Sequence, residues 1–271
     1  MARTKISRNF SFLGESALPG NRFFQFPALA INVEYLENDE EKRDRTRVRY
    51  NNITCNVDEA AKIYFEKHEF IVLEGADVDT FLRFFLLQVP ISEFDAVKDF
   101  QKKQRALVKK YLAGKIALAR VIKNAALNAA SFYLPPARPT KKLTSLRNDI
   151  QNALRAYTAL SPEKYSEAQR NVKERCIYSL ANDFLPRLHK SDFKKLTEAY
   201  TNMIKGSPPD LFVFNSKKRS WFFVEVKSLH DNLRPGQWDW IMGMEKCMPG
   251  RFLLLKVLPL SRHLRETLLG Y

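Results

Sequence analysis

Apolar residues recur every three or four positions along most of this 271-residue chain and alternate only near its end. The pattern therefore predicts helices first and a strand-rich segment after them. Asn56 stands where a helix begins, with Glu59 three residues on as in a capping box, and Ala60, Ala61, Tyr64 and Phe65 form an apolar face through about Lys67. Phe70 to Leu73 is short, apolar and partly β-branched, as a buried strand would be, and helical spacing returns over 79–89 through Phe81, Phe84, Phe85 and Gln88. A long helical stretch runs from Ser92 to Ser131, with a break expected at Gly114, and Pro135 to Pro139 ends it as a linker. Another helix is expected at about 143–158. Ser161-Pro162-Glu163 then opens a longer one, with a cap followed by proline at the first helical position. Its stripe is Tyr165, Ala168, Val172, Cys176, Leu180, Phe184 and Leu188, and a shorter helix covers Ser191 to Ile204.

The last segment changes character. Leu211 to Phe214 and Trp221 to Val226 read as strands joined by a turn from Asn215 to Ser220, Pro235 opens a helix, and Arg251 to Leu258 reads as another strand. Residues 1–50 mix aromatic stretches (Phe23 to Phe26) with a charged run (Glu37 to Arg49) and read as an irregular opening segment holding one or two strands. The expected division is an N-terminal segment over 1–50, a first part of the functional region over 51–94, a basic helical region over 95–200 and an α/β core over 201–271.

Composition adds a partner to this picture. An apolar fraction of 45% is ample for a packed core, whereas 45 Lys and Arg against 30 Asp and Glu leave a net charge of +15. So much self-repulsion does nothing for a fold, and a polyanion is the usual beneficiary. Nucleic acid is the first candidate and an anionic membrane the second, although no apolar run approaches the length of a membrane span. Cys55, Cys176 and Cys247 are scattered, and His68, His189, His230 and His263 are isolated. That spacing argues against a zinc site or a disulfide scaffold and fits an intracellular, reducing environment. No secretory signal is expected from the basic N-terminus, which lacks a following apolar core; its shortage of acids is also what an organellar presequence shows.

The chemistry gathers in the α/β segment. Pro209-Asp210 precedes the first strand, and Glu225-Val226-Lys227 closes the second. Alternation puts Glu225 and Lys227 on one face and Val224 and Val226 on the other. The turn folds the second strand back beside Asp210, so two carboxylates and an ammonium converge. Carboxylates that close repel unless a cation is shared, and a divalent metal is the ordinary solution. Such a metal polarises a phosphoryl oxygen and acidifies water, with the lysine orienting that water. An ExK pair alone is the ordinary pattern of a solvated strand face. Here Phe222, Val224 and Val226 mark a core strand, and Asp231, Leu233, Gln237 and Trp240 follow at spacings that no generic turn explains.

Gly206-Ser-Pro-Pro209-Asp210-Leu211, Phe223-Val-Glu225-Val-Lys227, Asp231-Asn-Leu233 and Gln237-Trp-Asp-Trp240 together resemble the signature of the VRR-NUC nucleases, a branch of the PD-(D/E)xK superfamily. Ser228 stands where that family usually has glycine. Val57 to Phe65, Phe70, Leu73-Glu74-Gly75 and Phe81 to Leu87 are similar to the start of the nuclease region in Fanconi-associated nucleases. The resemblance implies an α/β, restriction-endonuclease-like core, a mixed central sheet flanked by helices, with a largely helical extension or insertion. It implies hydrolysis of phosphodiester bonds in branched or flap DNA with Mg²⁺ or Mn²⁺, leaving a 5′ phosphate and a 3′ hydroxyl, in repair or recombination. Asp210, Glu225, the Val226 carbonyl and Glu74 would hold the metal, Lys227 would position water, and Gln237 would hydrogen-bond within the site. Two other carboxylates compete with Glu74 for the third position. Glu59 is accounted for by the Asn56 cap, and Glu174 lies about 200° around its helix from Val172, away from the apolar stripe. Gln237 could equally be a surface residue of a first helical turn.

DNA contacts are expected from Lys98, Lys102, Arg105 and Lys109, which share one helix face, and from Lys217, Lys218 and Arg219 at the turn beside the site. Nothing resembles a base-reading helix, which favours recognition of shape or ends. The alternatives are an exonuclease, a defence or RNA nuclease of the same fold, a non-catalytic DNA-binding module, and a peripheral membrane protein.

Overall fold

The structure is a computed structural model and describes residues 17–18, 28–36, 47–87, 98–133, 167–202, 206–215, 217, 220–228 and 231–259. Two compact units divide the chain, Met1–Gly75 with Ile204–Tyr271, and Ala76–Met203. The expected linker over 135–139, the helix over 143–158 and the helix start at Ser161 lie outside the described residues.

The first unit is built on one mixed sheet. Its strands are β1 (Ala17–Leu18), β2 (Ala28–Tyr35), β3 (Arg47–Tyr50), β4 (Ile53–Asn56), β5 (Ile71–Glu74), β6 (Leu211–Asn215), β7 (Ser220–Lys227) and β8 (Phe252–Pro259). Their order is β4-β3-β2-β8-β7-β6-β5, with β1 paired to β2. The pairs β2–β8 and β7–β8 are parallel and the others antiparallel. Helix α1 (Val57–Lys67) packs on one face of the sheet, and the helix Pro235–Cys247 carries Trp240 against Phe223 on the other, ring centroids 4.7 Å apart.

Local rules explain several of these elements. Glu59 N donates to Asn56 Oδ1 at 2.8 Å, and Asn56 N donates to Glu59 Oε2 at 2.9 Å, so the expected capping box starts α1. Asn51 and Asn52 both take positive φ, 50° and 64°. Two consecutive left-handed residues are what a tight hairpin needs, so they join β3 to β4. On the α1 face, Phe222, Val224 and Val226 of β7 pack with Tyr64 and Phe65, Leu211 and Val213 of β6, and Leu253 and Leu255 of β8. Phe65 and Phe222 meet edge to face at 5.9 Å. Burying one such aromatic contributes ~1.5–3 kcal/mol, so this face supplies much of the unit's stability.

The second unit is helical among its described residues. It contains α2 (Gly75–Thr80) from its second residue on, which runs into a π-helical turn (Phe81–Leu86), α3 (Lys98–Leu112), α4 (Leu118–Tyr133), α5 (Glu167–Tyr178), which continues through Ser179–Phe184 and Leu185–Arg187, and α6 (Lys190–Asn202). Gly114 breaks the stretch between α3 and α4 at φ 74°, where a side chain would be strained. Buried Gln104 joins the pieces, donating to the carbonyls of Leu86 and Val121 at 3.3 and 3.1 Å and accepting from Asn124 at 2.6 Å. Among the described residues no helix is long and apolar enough to cross a membrane.

Candidate active site

Strand register assembles the site. Leu211 pairs with Val224 across β6 and β7, so one step beyond the ladder Asp210 stands opposite Glu225. Glu74 pairs with Leu211 across β5 and β6, which puts Gly75 beside Asp210 on the other side. Gly75 N donates to Asp210 O at 2.8 Å. A Cβ at Gly75 would lie 1.8 Å from the Pro209 carbonyl oxygen, so only glycine allows this approach. Gly206 is constrained in the same way, since its Cβ would fall 2.7 Å from Gly236 O and 3.0 Å from Trp240 Cβ. Asp210 Oδ2 then accepts from Val226 N at 2.8 Å, which ties its carboxylate to the end of β7.

Glu225 is fully buried, and Lys227 is only 7% exposed. Lys227 Nζ lies 2.6 Å from Glu225 Oε1 and donates to Gln237 Oε1 at 3.3 Å. Gln237 Nε2 also donates to Glu225 Oε1, while its own oxygen accepts from Arg234 N at 3.0 Å. The helix α7 (Pro235–Cys247) thus begins with a buried glutamine bonded to both charged groups, not with a surface residue. The second carboxylate oxygen of Glu225, Oε2, is buried and has no hydrogen-bond partner among the described residues. Burial, then repulsion from Asp210, raises the Glu225 carboxyl to about 7, against the lowering influence of Lys227. A buried acid with one oxygen unbonded and a second carboxylate opposite is a poor structural device. Two such carboxylates could share a cation.

Glu74 is placed differently. In register with Leu211 it falls on the α1 face, where its carboxylate pairs with Lys62 of α1. Among the described residues, no three acidic, histidine or cysteine side chains gather in a way that could hold a metal. Glu59 is engaged in the α1 cap, and Glu174 is half-buried in α5 of the helical unit.

The basic residues are spread over both units. Lys102, Arg105 and Lys109 are exposed on α3, opposite buried Leu107 and Val108; Lys98 begins that helix, its side chain lying outside the described residues. Lys217 is exposed, 3.6 Å from Glu69, while Lys218 and Arg219 lie outside the described residues. The turn holding Lys217 is not beside Asp210, as expected, but at the other end of β6, ~16 Å along a five-residue strand. An antiparallel hairpin sends its turn and its open end in opposite directions. Two sets of basic residues escaped the sequence pattern. Lys190 and Lys194 of α6 line, with Leu112 and Ser191, a cavity of about 370 Å³, and Lys190 Nζ stands 5.8 Å from the Tyr111 ring centre. Lys256 of β8 pairs in register with Lys227; a lone cation inside the apolar run Phe252 to Leu258 was its only signal.

The sheet order, with its parallel β7–β8 pair and with Asp210, Glu225 and Lys227 at one end, defines a restriction-endonuclease-like α/β core. Residues 148–258 match the family model of the VRR-NUC domain, the nuclease family that the chain's motifs resemble. None of the curated proteins compared with the chain matches it. Among solved structures it is similar to paFAN1, in a crystal structure bound to DNA with a two-nucleotide 5′ flap and a gap, at a TM-score of 0.45 and 14% identity. That match covers 88% of this chain and 38% of the other.

Proposed function

We propose that this chain is a metal-dependent DNA nuclease that hydrolyses phosphodiester bonds in branched or flap DNA, in repair or recombination. The observation that carries the reading is the buried Glu225 carboxylate with Oε2 unbonded opposite Asp210. Asp210, Glu225 and the Val226 carbonyl would hold the ion, an oxygen-only donor set of the kind that suits Mg²⁺ or Mn²⁺. A bound divalent ion supplies Lewis-acid polarisation of the phosphoryl group and a lowered pKa for water. Glu74 is the third carboxylate of this proposal on the strength of the family resemblance; it lies on the α1 face, paired with Lys62, and would have to leave that pair and turn past the end of β5 to reach the metal.

The chain's own residues do the rest. Lys227 directs two of its three N–H donors to Glu225 and Gln237, and the third meets the attacking water or a phosphate oxygen. Gln237 locks the Glu225 and Lys227 side chains into one geometry, so neither must reorganise when substrate arrives. Lys98, Lys102, Arg105, Lys109, Lys217, Lys218 and Arg219 contact DNA phosphates, supported by the net charge of +15. The branched-DNA preference rests on the likeness of residues 57–87 to Fanconi-associated nucleases. Flap, splayed-arm, four-way junction, linear and RNA substrates, end-labelled and incubated side by side with Mg²⁺ or Mn²⁺, test both halves. Cleavage greatest on flap or junction DNA and lost in Asp210→Ala and Lys227→Ala is expected. Cleavage unchanged in those variants would refute the site, and an equal rate on RNA or linear ends would refute the substrate.

A further inference from the structure

β8 is buried and apolar from Phe252 to Leu255, and then Lys256 appears on the site face, directly opposite Lys227 in the parallel register. Like charges in that relation repel, so a second lysine there weakens the sheet unless its head is occupied elsewhere. It is. Lys256 is half-buried, and its Nζ donates to the carbonyl oxygen of Asp231 at 2.7 Å and lies 3.5 Å from that of Ser228. Those two residues also hold each other. The Asp231 carboxylate accepts from Ser228 N at 3.2 Å and from Ser228 Oγ at 2.5 Å, while Asp231 N donates to Ser228 O at 3.3 Å. Ser228 directly follows Lys227, so this cluster grips β7 where it leaves the sheet.

We infer that Lys256 is a positioning residue for Lys227. Its ammonium gathers the carbonyls of Ser228 and Asp231 and fixes the direction in which β7 ends. Its charge, facing Lys227 from the neighbouring strand, keeps the Lys227 head from leaning across β8 and turns it toward Glu225 and Gln237. The Ser228 hydroxyl, where the resembling family has glycine, closes the same cluster onto Asp231. Small misplacements of a catalytic group cost up to ~10²-fold in rate, so a residue that touches no substrate can still set turnover.

This inference rests on the nuclease reading, and its test has one arm that does not. In the metal-free protein, amide exchange at Ser228 and Asp231 is compared in wild type, Lys256→Met and Lys256→Arg, with thermal unfolding as the check on folding. Exchange at least tenfold faster in Lys256→Met and near wild type in Lys256→Arg is expected, because a guanidinium can reach both carbonyls; equal protection in all three overturns the inference whatever the activity. In the cleavage assay, Lys256→Met is expected to lower kcat ten- to a hundredfold with KM within twofold, and Lys256→Arg to restore most of it. A loss carried by KM would make Lys256 a substrate contact and overturn the positioning role, as would an arginine variant no better than methionine. Should Lys256→Met fail to fold, Lys256→Gln, which keeps one donor, takes its place under the same criteria. Absence of cleavage by the wild type would count against the nuclease reading alone, since the exchange arm still decides this one.

Discussion

The two faces of β7 are equally buried and opposite in character. Toward α1, Phe222, Val224 and Val226, none of which carries a polar side-chain atom, pack among aromatic and branched side chains. Toward α7, Phe223 gives way to Glu225 and Lys227, which share Gln237 and leave one carboxylate oxygen unbonded. Burying charge costs several kcal/mol per ion, and pairing returns only part of it. One face therefore stabilises the fold, and the other draws on that stability to keep two charged groups buried. The sheet needs both, because only a strand fixed by its apolar side can keep an unsatisfied carboxylate from relaxing toward water.

The comparison breaks most visibly at the charged face. Asp210→Ala and Glu225→Gln are expected to lower kcat about 10³-fold, as loss of a metal-holding group does, while the melting temperature stays level or rises. Single-turnover cleavage beside thermal unfolding measures both. On the other face the signs reverse. Phe222→Ala opens a cavity beside Phe65 and Phe70, costs ~3–5 kcal/mol in urea unfolding, and leaves kcat of the folded fraction near wild type.

Proton linkage sharpens the contrast. The Glu225 carboxyl rises from 4.5 to about 7 on folding, so the folded state holds its proton more tightly than the unfolded chain. Stability from this group is fully present below pH ~4.5 and is lost as pH rises through about 7, to the extent of about 3 kcal/mol without metal. Glu225→Gln should flatten that part of the pH profile. The smallest effect is expected at Glu74, whose pairing with Lys62 is partly exposed and contributes at most ~1 kcal/mol. Lys62→Met should tighten Mn²⁺ binding a fewfold and Glu74→Gln weaken it; no change in either by calorimetry would leave Asp210 and Glu225 as the only acidic ligands.

Whatever depends on neighbours in sequence could be read from the chain. The Asn56–Glu59 cap, the Gly114 break, the β6–β7 hairpin and the alternation that joins Glu225 to Lys227 are all local. β2 was foreseen only as a strand within an irregular opening segment, because its partner β8 lies at the far end of the chain, with Ala28 opposite Leu254. The β3–β4 hairpin did carry a signal, Asn51-Asn52, since asparagine tolerates the positive φ its turn requires. Motif spacing brought Glu74 to the right end of the sheet. Its face depends on the register of β5 against β6, which no spacing within β5 records. Lys256 was hidden for the same reason, as its relation to Lys227 exists only once β7 and β8 lie parallel.

The central claim is that the Glu225 face of β7 is kept for a divalent cation, and metal-induced stabilisation tests it without any substrate. The melting temperature of wild type and of Glu225→Gln would be followed at pH 7.5 as Mn²⁺ is raised from micromolar to millimolar. The account predicts a rise of several degrees in wild type and almost none in the variant. Equal shifts in both proteins, or none in wild type, would contradict it.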